Sequence, residues 1–470
     1  MTPDIFIGMP VFRGERFVSE TLHSIREQTY GAFRVVMSID GPDDPSIDEC
    51  RRFIDDERFE LVVQPHRLGW PGNFNWLLGE CDREYFCYWQ QDDVASNDYL
   101  MSLRETLAHR PDAALAYTDV QWFGDRVDRD TAVEIHGSRL ERALQGIEAL
   151  HYVPLRGLVR SNCLADRADG IPEVPTSGHQ QEFVYLADLA AAGAFVRADD
   201  GLYWKRCHDQ SAHSSWFGQP DASRRDEWCA LGNGLVGVVE RAAPGASRLR
   251  TISVVLDRLT IARAGRGFFF MPPQTETGVA RFVREFFGRY PNRLSTLEPA
   301  DHSTASGFER PVHPWVSSAI EQCREDRAVM DRLFLDGDSD VVFGVDMHAA
   351  ATLLLGRGWS EPESWGVWTM ELMAEIQLPP HRFARVELRG HPFAPLGPRR
   401  VGISDGNGPI DFIDCSADCS IGIDLAPTDR TVQTRTISVQ VPDALSPLDA
   451  GTGADPRLLG FGLREIVFRR

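Results

Sequence analysis

From residue 4 to about residue 215, short unbroken apolar runs alternate with stretches in which apolar positions recur every three or four residues. Ile5-Phe6-Ile7-Gly8-Met9-Pro10-Val11-Phe12 reads as a buried strand and the turn after it, and Phe17, Thr21, Leu22 and Ile25 follow at helical spacing. Arg34-Val35-Val36-Met37-Ser38-Ile39 predicts a second strand, ended by the turn-forming Asp40-Gly41-Pro42-Asp43-Asp44. Leu61-Val62-Val63, Tyr85-Phe86-Cys87-Tyr88-Trp89 and Ala114-Leu115-Ala116-Tyr117 predict three more. This alternation is the pattern of an α/β domain built around a mostly parallel sheet.

Helical patterns then cover residues 226–240, 248–264, 278–287 and 314–334, separated by Gly and Pro breaks. Beyond about residue 340 the texture changes to short alternating strands at residues 385–388, 400–403, 419–425, 435–441 and 464–468, which predicts an antiparallel β-sandwich. The expected division is a first domain over 1–215, a helical connector over 216–340 and a sandwich over 341–470. A chain of 470 residues is long enough for two or three cores.

Acidic residues outnumber Lys and Arg by 69 to 49, and a net charge of −20 argues against nucleic acid or an anionic bilayer as a partner. No apolar run is long enough to cross a membrane, so any attachment to the inner membrane is expected to be peripheral. The nine cysteines form no paired framework, and with the absence of a signal-like N-terminus they predict a reducing, cytoplasmic location. Cys415 and Cys419 have no second pair or nearby histidines at zinc spacing and read as plain thiols. Lys205 is the only lysine, which leaves Arg to carry almost every positive charge.

In open α/β sheets ligands bind at the carboxyl ends of the strands. Three polar clusters fall there: residues 10–15 with Arg13, Gly14 and Glu15, the turn with Asp40, Asp43 and Asp44, and Asp92 with Asp93. Adjacent carboxylates repel, and a divalent cation shared with a diphosphate relieves that repulsion. Taken alone, an Asp-Asp pair is equally at home in a solvated loop or a helix cap.

Residues 5–100 resemble glycosyltransferase family 2, of the Rossmann-like GT-A fold. Met9-Pro10-Val11-Phe12-Arg13-Gly14-Glu15-Arg16-Phe17 is similar to the family's first strand and loop, and Ser24-Ile25-Arg26-Glu27-Gln28-Thr29-Tyr30 to the helix end that follows. Residues 35–44 resemble its second strand and acidic turn, Arg67-Leu68-Gly69-Trp70-Pro71-Gly72-Asn73-Phe74-Asn75 its helix start, and Gln91-Asp92-Asp93-Val94 its metal-binding acidic region. The resemblance implies an inverting hexosyltransferase that moves a sugar from a nucleotide diphosphate donor to a hydroxyl of a glycan or lipid-linked glycan, such as a capsule or O-antigen. It implies that Asp93 and Asp92 hold Mn2+ or Mg2+, and that Pro10, Val11, Phe12, Glu15, Asp40, Gly69, Asn73 and Gln91 line the donor site. Gln90 and Ile39 stand where the family usually has acids, which leaves metal affinity and the choice between uridine and thymidine donors open.

The same resemblance places the general base at Glu182, opening a helical stretch after Thr176-Ser177-Gly178-His179; a Glu that only supports its helix is the alternative. Tyr203-Trp204-Lys205-Arg206-Cys207-His208-Asp209-Gln210-Ser211 resembles the closing strand and loop, with His208 a metal or diphosphate ligand and Arg206 and Lys205 offsetting phosphate charge. Asp119 is open to either a sugar-hydroxyl or a structural role. In the connector, Arg248, Arg250, Arg258, Arg263 and Arg266 read as a solvated basic face, Phe268-Phe269-Phe270-Met271-Pro272-Pro273 as core, and the helices as one surface available for a homo-oligomer. Trp359, Trp365 and Trp368 in the sandwich are suited either to packing or to stacking on sugar rings. Residues 358–368, with Asp455-Pro456-Arg457-Leu458-Leu459-Gly460, loosely resemble sandwich modules appended to bacterial polysaccharide glycosyltransferases. A second expectation, from another class, is a sugar-binding or assembly protein on a GT-A scaffold that has lost catalysis, motivated by Gln90 and Ile39.

Overall fold

The computed structural model describes residues 3–164, 170–174, 178, 180–209, 221–260, 275–297, 308, 310–335, 339–343, 351–360, 363–378, 383–406, 410–425, 435–455 and 457–470. The expectations for Thr176, Ser177, His179, Gln210, Ser211, Arg263, Arg266, residues 268–273 and Pro456 lie outside the described residues. The chain divides into two compact units, one formed by Met1–Gln219, Ala230–Ala246 and Thr304–Glu309, the other by Pro220–Cys229, Ser247–Ser303 and Arg310–Arg470.

The first unit runs β1 (Ile5–Val11), α1 (Val18–Arg26), β2 (Phe33–Ile39), α2 (Ser46–Arg51), β3 (Phe59–Val63), α3 (Gly69–Gly79), β4 (Tyr85–Tyr88), β5 (Val94–Ala95), α4 (Tyr99–His109), β6 (Ala113–Tyr117), β7 (Val120–Gly124), β8 (Asp128–Asp130), α5 (Arg139–Ala149), β9 (Leu158–Arg160), α6 (Glu182–Ala192), β10 (Ala194–Arg197) and β11 (Tyr203–Cys207). Among the described residues, seven strands form the main sheet in the order β10-β6-β9-β4-β1-β2-β3. β1 is parallel to β2 and β4, β2 to β3, and β10 to β6. β9 departs from the parallel expectation, because it enters between β4 and β6 and pairs antiparallel with both. Ile5, Phe6, Ile7, Met9 and Val11 are all fully buried, as a strand covered on both faces requires.

From β1 the chain moves one way across the sheet to β2 and β3, whereas β4 lies on the opposite side of β1. That reversal makes the carboxyl ends of β1 and β4 a topological switch point, the usual ligand position in this architecture. A second sheet, β5-β11-β7-β8, begins directly after β4. Its antiparallel pairing of β11 with β5 brings residues 203–208 back across the end of β4.

Helix α7 (Asp221–Ala242) follows, and the second unit then contains α8 (Arg248–Thr260), α9 (Glu276–Arg289), α10 (Pro291–Ser295) and α11 (Pro314–Leu335). Arg258 is buried and so does not belong to a solvated basic face. Among the described residues, nine strands complete the unit: β12 (Ser339–Val342), β13 (Val367–Trp368), β14 (Met373–Leu378), β15 (Arg385–Pro392), β16 (Arg399–Ser404), β17 (Phe412–Cys415), β18 (Cys419–Asp424), β19 (Arg435–Gln440) and β20 (Phe461–Arg469). One sheet is β12-β20-β15-β18 with β13 on β20, the other β14-β19-β16-β17, and the pairs in both are antiparallel. Val386, Leu388, Ile466 and Phe468 from the first share one core with Ile376, Ile437, Val439 and Val401 from the second, which makes the pair a sandwich.

Trp359 belongs to that core, at 6% exposure, and its indole N–H donates to the Glu375 carbonyl at 2.6 Å, so it is a packing residue. Trp365 and Trp368 are half-buried and meet edge to face at 5.2 Å, over a floor that only glycine permits: a Cβ at Gly462 would lie 2.8 Å from one indole and 2.9 Å from the other. All nine cysteines are free thiols. Among the described residues, no helix is long and apolar enough to cross a membrane.

Candidate active site

The first loop is held from below by Gln91. Its side-chain carbonyl accepts from the Phe12 amide at 2.8 Å and its amide nitrogen donates to the Phe12 carbonyl at 3.0 Å. Gly14 is required there, since a Cβ would stand 2.4 Å from the Gln91 oxygen. Asp44 and Ser46 hold the same loop from the other side, accepting from the amides of Arg13 and Gly14, both at 2.7 Å. Val11 is buried, Pro10 and Phe12 are partly covered, and Glu15 and Asp43 face solvent.

Asp40, at the end of β2, directs both carboxylate oxygens to the start of α3, accepting from Leu68 N at 2.6 Å and Gly69 N at 3.1 Å. Gly69 takes a φ of +75°, which favours glycine at this turn. Asn73 is turned inward: its side-chain carbonyl accepts from the Ser38 hydroxyl at 2.6 Å and its amide donates to the Ser38 carbonyl at 3.0 Å. Asn73 therefore fastens α3 to β2.

At the end of β4 the polar residues converge on β11. Asp93 is fully buried; one oxygen accepts from the Arg206 amide at 2.8 Å, and the other has no hydrogen-bond partner. Burial, and then the neighbouring Asp92 charge, push the Asp93 carboxyl up to about 6. Burial acts on Asp92 in the same direction, but the hydrogen bond from His208 and the charge of Lys205 outweigh it, so this carboxyl lies below its usual range. The His208 Nε2 to Asp92 Oδ2 distance is 2.9 Å. Arg206 donates to the Asp92 carbonyl at 3.1 Å, pairs with Glu20 at 2.6 Å and stacks on Phe17 and Phe123.

Gln90, in the position where the family usually has an acid, is bonded through its carbonyl to Arg156 and, at 3.4 Å, to Lys205. Sequence reasoning passed over Arg156 and Glu20. The available signal for Arg156 was a lone charge inside the apolar run Val153-Pro154-Leu155-Arg156-Gly157-Leu158-Val159. Asp119 is bound at both oxygens by Arg197, at 2.9 and 3.1 Å, with Arg129 and the Ala132 amide each at 2.9 Å. The Arg197 hydrogen bonds hold its carboxyl well below the carboxylate range.

Glu182 is the first residue of α6 and is buried. Its approach is packed on the start of α3: a Cβ at Gly178 would meet Pro71 at 2.5 Å, and Asn75 exchanges hydrogen bonds with the Ile171 backbone, both at 2.8 Å. One turn along α6, Tyr185 meets Phe74 at 5.3 Å, and Phe74 meets Tyr88 of β4 at 5.3 Å. The helix runs on directly into β10, which is parallel to β6, so its N-terminus points to the carboxyl edge of the sheet. Glu182 and Asp93 are thus at the same edge.

Among the described residues, no group of three or more His, Cys, Asp or Glu side chains is arranged to hold a metal ion. The oxygen chemistry of Asp92 and Asp93, with one buried carboxylate oxygen left unpartnered, nevertheless suits a hard divalent cation.

The main sheet is mixed and mostly parallel with acids at its switch point, an α/β arrangement in which ligands bind at the carboxyl ends of the strands. Residues 6–161 match the family described as glycosyl transferase family 2. The chain is 30% identical over 99 residues to an uncharacterized glycosyltransferase of Haemophilus influenzae, covering 21% of this chain and 40% of that protein. Among solved structures it is similar to S. aureus TarS (11% identity, 94% of this chain and 72% of that one, TM-score 0.46) and to TarS 1–349 in complex with UDP (12%, 70% and 92%, 0.45). It is also similar to the mannosyltransferase PcManGT of Pyrobaculum calidifontis in complex with GDP-Man and Mn2+ (13%, 69% and 88%, 0.37).

Proposed function

We propose that the protein is an inverting, metal-dependent glycosyltransferase that moves a sugar from a nucleoside diphosphate donor, UDP or dTDP, to a hydroxyl of a cell-surface glycan. The observation that carries this reading is the family 2 match over residues 6–161 with Asp93 and Glu182 at one sheet edge. In this reading Phe12 and Asp40 border the base, and Gln91 keeps the first loop in shape for it. Asp93 and Asp92, with His208 beside them, would hold a Mn2+ or Mg2+ ion, which supplies neutralisation of the charge that develops on the departing diphosphate. The Glu182 carboxylate takes the proton of the acceptor hydroxyl, and that oxygen attacks the anomeric carbon as its bond to the β-phosphate oxygen breaks. Attack from the side opposite the leaving diphosphate inverts the configuration. Glu182 stands in the first turn of α6, where the helix dipole favours a negative charge. The protein acts at the cytoplasmic side, and a lipid-linked acceptor would draw it to the inner membrane.

The test is a donor screen by nucleotide release, run with Mn2+, with Mg2+ and with chelator. Metal-dependent release of UDP or dTDP, lost in folded Asp93→Asn and Glu182→Gln variants, supports the assignment; full activity in either variant rejects its role. A second reading is favoured by Gln90, whose carbonyl is bound to two cations. It is a sugar-binding or assembly protein without catalysis, and nucleotide binding with no release across a broad panel of donors and acceptors would support it. For the sandwich, sugar stacking rests on Trp365 and Trp368, the two indoles that keep some exposed surface.

A further inference from the structure

Two buried N–H donors at the carboxyl edge of the main sheet have no part in the mechanism above. Gln180 stands two residues before Glu182 and is 2% exposed, and its side-chain nitrogen has no hydrogen-bond partner. Trp70, in the first turn of α3, likewise has a buried indole nitrogen without a partner. A buried donor left unpaired is destabilising, and native structures keep few of them. The backbone of Gln180 is also held against its preference. Among the described residues three non-glycine positions take a positive φ: Arg13 at 48°, Leu150 at 32° and Gln180 at 69°. Leu150 ends α5 in the left-handed conformation common at helix ends, and Arg13 lies in the loop after β1. Gln180 instead precedes α6, and its carbonyl accepts from the Phe183 amide at 3.1 Å, closing the turn that opens the helix. Backbone strain of this kind clusters at ligand sites.

The two donors come from segments in direct contact. Gly178, two residues before Gln180, lies so close to Pro71, the residue after Trp70, that a Cβ would stand 2.5 Å from the proline ring. The Trp70 ring meets that of Tyr88, the last residue of β4, at 5.8 Å, and Asp92 and Asp93 follow that strand. Both N–H groups are neutral and lack an acceptor, which suits the uncharged oxygens of a sugar, whereas an anionic phosphate is better met by cations.

We propose that Gln180 and Trp70 form a sugar subsite beside Glu182, in which the side-chain amide N–H and the indole N–H each donate to an oxygen of one sugar, that of the donor or that of the acceptor. The subsite rests on the glycosyltransferase reading above and adds to it the groups that hold a sugar in place next to the base.

Full-length Gln180→Met and Trp70→Phe each remove one N–H while keeping most of the side-chain bulk. Because the N–H that each removes is unpaired, the thermal midpoint should stay the same or rise. Calorimetry with Mn2+ compares UDP with UDP-glucose, UDP-galactose and UDP-N-acetylglucosamine, and dTDP with dTDP-glucose, and transfer to a panel of methyl glycosides gives the acceptor KM. A nucleotide sugar weakened about three- to tenfold by each variant, with the bare nucleotide unchanged, assigns the subsite to the donor sugar. An acceptor KM raised about as much, with nucleotide-sugar affinity unchanged, assigns it to the acceptor. A lowered midpoint in both variants would make the two groups structural and overturn the proposal, as would unchanged affinities and KM in folded variants. The two readings fail separately. Turnover that both variants leave intact while Glu182→Gln abolishes it removes the subsite alone, and a wild type that neither binds nor releases nucleotide with any of these donors removes the glycosyltransferase reading together with the subsite.

Discussion

Replacing Asp40 with Ala separates what this carboxylate does for the fold from what it does for a donor. Asp40 is 4% exposed and accepts two backbone N–H bonds, at 2.6 and 3.1 Å, from the residues that open α3. Hydrogen bonds to a charged acceptor contribute roughly 1.5–3 kcal/mol each. Arg67, 3.7 Å away and 65% exposed, adds little. The amides of Leu68 and Gly69 partly recover water when the acceptor is removed, so the expected loss is about 2–4 kcal/mol rather than the full sum. Asp40→Asn keeps one acceptor and turns an N–H toward the other amide, and should lose about 1–2 kcal/mol. Urea unfolding followed by Trp fluorescence reads the global change. Hydrogen exchange at the Leu68 and Gly69 amides reads the local one, with protection falling roughly thirtyfold or more in the Ala variant. A loss below about 0.5 kcal/mol with unchanged protection would show that this turn forms without Asp40. If nucleotide affinity nevertheless collapsed, the carboxylate would be a ligand contact first and a structural group second.

Glu182→Gln should lower transfer turnover by about a thousandfold while donor affinity by calorimetry stays within a factor of a few, because only the proton acceptor is lost. Retained turnover would move the base elsewhere. Asp119→Asn should destabilise the first unit by about 3 kcal/mol, discounted for the 55% exposure of Arg129, and this is measurable as a lowered urea midpoint. The Asp119 carboxyl is depressed in the folded state, so its stabilisation is present above the ordinary Asp range near pH ~4 and is lost as pH falls toward the folded value. The wild type should therefore converge on the Asn variant in acid, and a constant difference down to low pH would contradict that sign. Gly462→Val should cost about 1–3 kcal/mol in thermal unfolding of the second unit, since its side chain collides with Trp365 and Trp368. An unchanged transition would mean the indoles move aside freely.

The sequence by itself determined the elements and the edge at which their polar residues gather. Alternating apolar runs and helical periods are local properties, and a run such as Ile5 to Val11 has few alternatives to a doubly covered strand. The same holds for Asp40, Asp92 and Asp93, whose place after a strand is visible in the order of residues. Only the tertiary structure decided how those acids are surrounded. Residues 203–208 return across β4 more than a hundred positions later, and no local spacing encodes that pairing. β9 is inserted antiparallel for the same reason: its three residues carry too little pattern to fix direction, and the neighbours β4 and β6 settle it. Trp359 and Trp368, nine positions apart in one Trp-rich segment, end in a core and at a partly open face, because burial depends on what packs above each residue. Arg156 and Lys205 show the point most directly. A charge in an apolar run is legible in the sequence, but whether it is compensated depends on groups brought from other strands.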